Sequence, residues 1–89
     1  MISSLTGDFR RCFAELPESV RVQARKTYQI WEADPFHPSL QFKKVHKKEE
    51  IWSVRIGRHW RALGVIEGEE ITWFWIGSHS DYDELLSHF

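Results

Sequence analysis

The sequence predicts an α+β fold in which an N-terminal helical hairpin packs on a small, four-stranded, mainly antiparallel sheet, with a short C-terminal helix closing the chain. Apolar residues recur at helical spacing between residues 9 and 31. Short β-rich runs separated by glycine-containing turns follow between residues 51 and 76. The chain has 89 residues, of which 42% are apolar, including five Trp and six Phe, so we expect one domain spanning residues 1–89 with an aromatic core.

Two amphipathic helices are expected to form the hairpin. The apolar stripe of the first consists of Phe9, Cys12, Phe13 and Leu16. The stripe of the second consists of Val20, Ala24, Thr27, Tyr28 and Trp31. Thr6 or Asp8 can cap the first helix, and Pro17 can occupy the first turn of the second. Cys12 lies inside its stripe, so we interpret it as a core residue and not as a reactive thiol.

The segments outside the helices and the central strands give weaker signals. Met1–Leu5 can form a short edge strand, although its two serines make it a poor one. A connector with two prolines follows the second helix. Leu40–Val45 alternates and is predicted to be a strand, followed by the charged loop His46–Glu50.

Three antiparallel strands form the centre of the predicted sheet. They are Ile51–Ile56, Trp60–Ile66 and Ile71–Ile76, joined by turns at residues 57–59 and 67–69. The last strand is almost continuously apolar, which is typical of a strand covered on both faces. A turn centred on Arg58 places Arg55 directly opposite Arg61. Like charges in such a pair destabilise a sheet, so either an anion binds between them, or the register differs by one, or both side chains extend into water.

A short helix is expected after the last strand. Ser80 can cap it, with Asp83 three positions later as in a capping box. Its apolar stripe consists of Tyr82, Leu85, Leu86 and Phe89.

Charge is distributed unevenly along a chain whose net charge is −1. Residues 41–61 contain seven basic and two acidic side chains, whereas residues 67–89 contain six acidic side chains and no Lys or Arg. This distribution predicts one anion-binding face. The five histidines lack zinc-ligand spacing, and no glycine-rich phosphate loop or nucleophile motif is present. A single cysteine, with neither a signal-peptide pattern nor a long apolar run, predicts a cytoplasmic protein without a membrane segment.

The chain resembles the RelE/ParE superfamily of type II toxin–antitoxin toxins along nearly its whole length. The resemblance is carried by the segments LPESVRVQARKTYQIWEADPFHPSLQFKKV and IWSVRIGRHWRALGV…ITWFWIGSHSDYDELL. The elements "DP..PSL.FK.V", "W.VRIG..WRALG" and "WIGSH.DYD.LL", in this order, are similar to a subgroup of HigB/RelE-like toxins. The sequence departs from the family in its net charge, in its poor first strand, and in the residues Ser80-Asp81 that follow His79.

The resemblance implies an endoribonuclease that cuts mRNA, usually in the ribosomal A site. The RNA 2′-hydroxyl would attack the adjacent phosphate without a metal or other cofactor. By position, Arg61 matches the arginine that holds the scissile phosphate, and Arg55 matches a basic position on the preceding strand. His79 falls where members place a catalytic Arg or His, and Tyr82 lies near a functional tyrosine or other polar group. A small antitoxin is the implied partner, laying a helix or strand over the basic face or a sheet edge.

The chemistry of the residues agrees with that implication. Cleavage needs a base, an acid and cations that stabilise the phosphorane. We therefore predict Arg61 as the phosphate clamp, His79 as general acid or base, and Tyr82 as a base-stacking or proton-transfer residue. The predicted substrate contacts are Arg55, Lys43 and Lys44. Each also has an ordinary structural interpretation, since His79 can hydrogen-bond at a strand end, Tyr82 can begin a helical stripe, and lysines can be solvated.

Two other functions remain open at this stage. A ParE-like toxin would bind DNA gyrase and would need no catalytic histidine. A non-toxic family member would act only as an interaction module. Substitution of His79 separates the nuclease from the gyrase-binding toxin, and expression without a partner separates both from the non-toxic module.

Overall fold

The structure, a computed structural model, describes residues 1–88 and contains a five-stranded sheet with three α-helices. In chain order the elements are β1 (Ile2–Leu5), α1 (Gly7–Ala14), α2 (Glu18–Ala33), a 3₁₀ turn (Pro38–Leu40), β2 (Lys43–Lys44), β3 (Ile51–Ile56), β4 (Trp60–Glu67), β5 (Glu70–Ser78) and α3 (His79–Ser87). The strand order is β1-β5-β4-β3-β2, in which only β1 is parallel to its neighbour. The predicted α+β class, with helices packed on a mainly antiparallel sheet, is confirmed.

Both helices of the hairpin contribute to one core on one face of the sheet. Trp31 of α2 is 2% exposed and lies at its centre. Its ring meets Trp73 edge-on at 5.4 Å and Phe42 at 5.9 Å, centroid to centroid. The predicted stripe residue Cys12 is half-buried against this core, as expected for a packing residue.

The sheet has one strand more than the four predicted, because Ile2–Leu5, expected to be at best a poor edge strand, pairs with β5. The amide of Ile2 donates to the carbonyl of Glu69 at 3.0 Å, and the amide of Thr6 donates to the carbonyl of Trp73 at 3.0 Å. The serines do not prevent pairing, because Ser3 contacts the Tyr28 hydroxyl and Ser4 lies 3.4 Å from the hydroxyl of Thr72. Their side chains thus have polar partners on neighbouring elements.

The predicted strand Leu40–Val45 is also wrong at both ends. Lys43–Lys44 form the strand, although the Val45 amide still donates to the Ile51 carbonyl of β3 at 2.9 Å. Leu40, only 1% exposed, ends a 3₁₀ turn. The turn begins where Nδ1 of His37 accepts from the Ser39 amide at 3.2 Å. Gln41 then adopts φ 45°, in the left-handed region, and this ends the 3₁₀ turn and interrupts the continuous strand that the sequence suggested.

The hairpin between β3 and β4 has the predicted register, with Ile56 opposite Trp60. The next pairing contains a bulge, because Leu63 lies opposite Trp75 while Gly64 lies opposite Trp73. The bulge adds one residue to β5. Arg61 consequently lies opposite Gly77, whereas a meander without the bulge would place it opposite Ile76.

The last helix begins two residues earlier than predicted. Ser78, not Ser80, is the cap, and its hydroxyl accepts from the Asp81 amide at 3.1 Å. Pairing of β5 extends to Ser78, and the His79 amide donates to the His59 carbonyl at 2.7 Å, so the helix starts directly at the end of β5. Phe89, the last member of the predicted stripe, lies outside the described residues. Every helix in residues 1–88 is too short or too polar to span a bilayer.

Replacing Gly64 with Ala tests the packing of the bulge. A Cβ atom there would lie 2.8 Å from Cγ1 of Ile71 and 2.9 Å from Cε3 of Trp73, both buried. We expect Gly64→Ala to lower the free energy of unfolding by about 1–3 kcal/mol through overpacking, measured by urea denaturation. Gly7→Ala is the matched control, because nothing lies within 4 Å of that position. Equal stability of the two variants would contradict this description of the core.

Candidate functional site

Two arginines lie side by side on the sheet face opposite the helical hairpin. The register places Arg55 of β3 directly opposite Arg61 of β4. Ala62, the next residue of β4, points into the core, so Arg61 points away from it. Nε of Arg55 donates to the carbonyl of Gly57 at 2.7 Å, which directs its guanidinium along the turn. The pairing of like charges that the turn predicted is therefore present, and each guanidinium has its own hydrogen-bond acceptor.

Arg61 is almost completely buried, with 6% of its surface exposed. Its Nη1 donates to Oγ of Ser53 at 3.1 Å, and its Nη2 donates to Oε1 of Gln41 at 3.0 Å. Its Nε is buried and has no acceptor within residues 1–88. Neutral acceptors orient this guanidinium without neutralising it, so it keeps its positive charge below the surface.

Tyr82 of α3 covers the guanidinium of Arg61. The Cζ atom of Arg61 lies 5.4 Å from the centre of the Tyr82 ring, within the range of a cation–π contact. Tyr82 is itself 5% exposed, and its ring also lies 6.5 Å from that of Trp75. Burial is the main reason that the pKa of Arg61 is lowered, and the charge of Arg55 acts in the same direction. Tyr82 and Asp83 oppose both effects.

His79 lies beside Tyr82 at the beginning of α3. The two ring centres are 5.6 Å apart, and Nδ1 of His79 lies 3.1 Å from Oδ2 of Asp83, one helical turn later. With 46% of its side chain exposed, His79 is accessible to a ligand. If Nδ1 carries the proton and donates to Asp83, then Nε2 can accept a proton. Tyr82 therefore connects the buried cation to an exposed imidazole.

The structure separates the two lysines that the sequence grouped together. Lys43 lies opposite Ser53, so it shares the sheet face of Arg61. Lys44 lies opposite Trp52 on the other face, where its Nζ is 3.2 Å from Oε1 of Glu50. A hydrogen bond from Trp52, together with Lys44, lowers the pKa of Glu50. Lys44 is therefore outside the cluster that contains Arg61.

Two polar residues of the site were not predicted. Ser53 alternates with Arg55 along β3, and this pattern could have indicated a shared face. Alternation along residues 40–45 puts Gln41 on the same side as Lys43, but nothing local indicates that it contacts Arg61, 20 residues along the chain. In the part of the chain that the structure describes, no three His, Cys, Asp or Glu side chains converge to hold a metal ion.

The comparison with family models identifies the family to which the chain belongs. A model described as the ParE-like toxin domain matches residues 18–84, well over half of the chain. The chain belongs to the ParE-like toxin domain family. The membership in the RelE/ParE superfamily that the motifs predicted is thereby confirmed. A search of curated proteins finds no match.

Solved toxins of the superfamily share the fold of this ParE-like domain. The RelB–RelE complex of Methanococcus jannaschii matches with TM-score 0.73 and 12% identity, covering 91% of this chain and 95% of that one. The RelBE2 toxin–antitoxin complex of Mycobacterium tuberculosis matches with TM-score 0.71 and 18% identity, over 90% and 92% of the two chains. The RelE–RelB complex of Pyrococcus horikoshii matches with TM-score 0.68 and 12% identity, covering 86% of this chain and 92% of that one.

Replacing Ser53 with Ala tests how the buried guanidinium is held. Ser53 is fully buried and accepts from Nη1 of Arg61, so its loss leaves a buried charged donor without a partner. We expect a loss of about 1–3 kcal/mol in the free energy of unfolding, measured by urea denaturation. Ser4→Ala is the control, because Ser4 is exposed and we expect a change within about 0.5 kcal/mol there. If Ser53→Ala were as stable as the control, this hydrogen bond would not be important for positioning Arg61.

Proposed function

We propose that this ParE-like domain is the toxin of a type II toxin–antitoxin system and acts as a metal-independent endoribonuclease on mRNA. The observation that carries the proposal is the grouping of Arg61, Tyr82 and His79 on one sheet face, with successive contacts of 5.4 and 5.6 Å. A cation that can stabilise the phosphorane and an exposed imidazole that can transfer a proton are groups that cleavage by the RNA 2′-hydroxyl uses, and an aromatic ring beside them can stack on a base. Members of the superfamily that cut RNA use residues at the matching positions.

His79 has the geometry of a proton-transfer residue. In the proposed reaction, Nε2 accepts the proton of the RNA 2′-hydroxyl, whose oxygen forms a bond to the adjacent phosphorus. The bond from phosphorus to the 5′-oxygen breaks, and this oxygen takes a proton from water, leaving a cyclic phosphate on one product and a 5′-hydroxyl on the other. Asp83, 3.1 Å from Nδ1, stabilises the imidazolium that forms. Asp83 is thus a positioning residue, and His79 acts directly on the substrate.

Arg55 and Arg61 are proposed to stabilise the charge that develops on the phosphate. Arg55 is the more exposed of the two, so it makes the first contact with RNA. Arg61 becomes accessible when Tyr82 moves off its guanidinium and stacks on a base instead. Lys43, exposed on the same face, provides an outer phosphate contact, whereas Lys44 is directed elsewhere by its ion pair with Glu50.

A gyrase-binding toxin without nuclease activity is the second candidate function. It is favoured by the description of the matching family as ParE-like and by the burial of Arg61, 6% exposed with both Nη atoms already hydrogen-bonded. Such a protein would use the basic face for binding and would not require the imidazole of His79.

A cognate antitoxin is the proposed protein partner. The similar structures from Methanococcus jannaschii, Pyrococcus horikoshii and Mycobacterium tuberculosis are complexes of a toxin with its antitoxin. On this chain, an acidic segment of the partner would cover Arg55 and Lys43 and block the approach of RNA. Coexpression of the partner is therefore expected to restore growth.

Expression in bacteria without the antitoxin tests the proposed activity. The wild type is expected to arrest growth and to produce new mRNA 5′ ends. Arg61→Ala and His79→Ala are each expected to reduce cleavage by about 10²-fold or more, because they remove transition-state stabilisation and proton transfer respectively. Growth curves and sequencing of mRNA 5′ ends provide the two readouts.

Matched controls come from residues away from this face. Arg10→Ala on α1 and His88→Ala just after α3 remove the same side-chain types from exposed positions and should behave as the wild type. Growth arrest without new mRNA ends, unchanged by His79→Ala, would contradict the nuclease activity and support the gyrase-binding function. If the folded wild-type protein does not arrest growth, both toxin functions are wrong and the chain acts only as an interaction module.

A further inference from the structure

The sheet ends at β1, whose outer edge has no neighbouring strand within residues 1–88. The amides of Ile2 and Thr6 donate toward β5, each over 3.0 Å. Successive residues of a strand direct their N–H and C=O groups to opposite sides, so the groups of Ser3 and Leu5 point away from β5. The outer edge of β1 therefore presents two backbone donors and two backbone acceptors.

This edge lacks the features by which proteins usually prevent pairing with a further strand. Residues 1–7 contain no charged side chain and no proline, and β1 pairs with β5 without a bulge. Apolar side chains are exposed along the edge, since Ile2 is 65% exposed and Leu5 is 42% exposed. An edge of this kind is a template for another strand.

The outward backbone groups of β1 match those of a second copy of the same strand. In an antiparallel pair, opposed residues that exchange both N–H···O bonds alternate with opposed residues that exchange none. A two-fold axis at Ser4 places Ser3 opposite Leu5 of the second copy, and Leu5 opposite its Ser3. Both pairs are of the exchanging kind, so this register uses every outward group of Ser3 and Leu5 in both copies.

The side chains beside the axis are compatible with this arrangement. Ser3 and Leu5 lie opposite Ile71 and Trp73 of β5, which places them on the face covered by the hairpin, and Ser3 contacts the Tyr28 hydroxyl there. Leu5 would therefore lie beside Tyr28 of the second copy, which is 36% exposed. The two-fold axis makes this apolar contact twice.

The charges near the two ends of β1 favour the antiparallel orientation. Its first residue lies beside Glu69 and Glu70. Its last residue leads into α1, where Asp8 and Arg11 form an ion pair and Arg10 adds a positive charge. The two-fold axis brings the acidic end of each copy to the basic end of the other. An acidic segment, such as the one proposed to cover the basic face, would meet no charged side chain in residues 1–7.

We propose that two copies of this chain pair through β1 to form a two-fold symmetric dimer with one continuous sheet. Few residues of each copy take part, so we expect reversible association with a Kd on the order of 10⁻⁴ M. β1 and β2 are the opposite edges of the sheet, and the arginine pair lies on β3 and β4. The test of the dimer is therefore independent of the proposed ribonuclease activity.

Sedimentation equilibrium of the purified full chain tests for the dimer. We expect an average mass near 10.6 kDa, one chain, at about 10 μM and a mass approaching twice that value at about 1 mM. Hydrogen exchange measured by NMR locates the contact. At the higher concentration the Ser3 and Leu5 amides should exchange slower by about threefold or more, whereas the Thr6 amide, which already donates to Trp73, should keep its rate.

Substitutions at Ser4 test the two-fold register. Ser4 is exposed and would lie opposite Ser4 of the second copy, so Ser4→Lys or Ser4→Asp alone places like charges directly opposite each other. We expect each variant to dimerise about fivefold more weakly, and an equimolar mixture of the two to restore dimerisation. Ser19→Lys and Ser19→Asp change an exposed serine of α2 and are the matched controls, which should dimerise as the wild type does.

Replacing Leu5 with Pro removes an outward amide that β5 does not use. The fold should persist, verified by thermal melting in circular dichroism, while dimerisation weakens by about tenfold or more. A wild-type mass of one chain over the whole concentration range would overturn the proposal, whichever variants fold. A dimer that Ser4→Lys and Ser4→Asp leave unchanged, or one that does not protect the Ser3 and Leu5 amides, would overturn it as well.

Discussion

Burial of the Arg61 guanidinium is the constraint on which the basic face depends. A cation removed from water must be compensated by oriented acceptors, and here Ser53 and Gln41 supply them while Tyr82 covers the group. This requirement links three distant parts of the sequence. The left-handed residue before β2, the alternation of β3 and the docking of α3 all converge on one side chain.

The same arrangement explains why the two faces of the sheet differ in chemistry. One face is filled by aromatic side chains from the hairpin and the strands, centred on Trp31. The other carries Arg55 beside Arg61, a pair that is unfavourable in a sheet without an anion. The free energy that the pair costs is offset by the core on the opposite face. A ParE-like toxin domain can therefore maintain a cationic surface although its net charge is −1.

Local patterns predicted most of this fold, because the helical stripes and the turn at Gly57 determine their own geometry. The opposition of Arg55 and Arg61 followed directly from the length of that turn. The features that could not be predicted depend on tertiary pairing. β1 forms because it pairs with the free side of β5. The bulge at Phe74 lies where Trp73 and Trp75 face opposite sides of the sheet. The start of α3 at His79 depended on how far β5 pairs, and the contact of Gln41 with Arg61 joins residues 20 positions apart, which no local pattern indicates. The roles of Arg61, His79 and Tyr82 remain predictions.

Cleavage of a defined RNA by the purified chain tests the central claim most directly. The substrate is a short mRNA fragment in the presence of a metal chelator, paired with the same fragment lacking the 2′-hydroxyl at the cleaved position. The account predicts products with a cyclic phosphate and a 5′-hydroxyl from the first substrate and no cleavage at that position of the second. Equal cleavage of both substrates, or RNA that stays intact both in this assay and when bound to purified ribosomes without the chelator, would contradict the assignment of this face as a ribonuclease site.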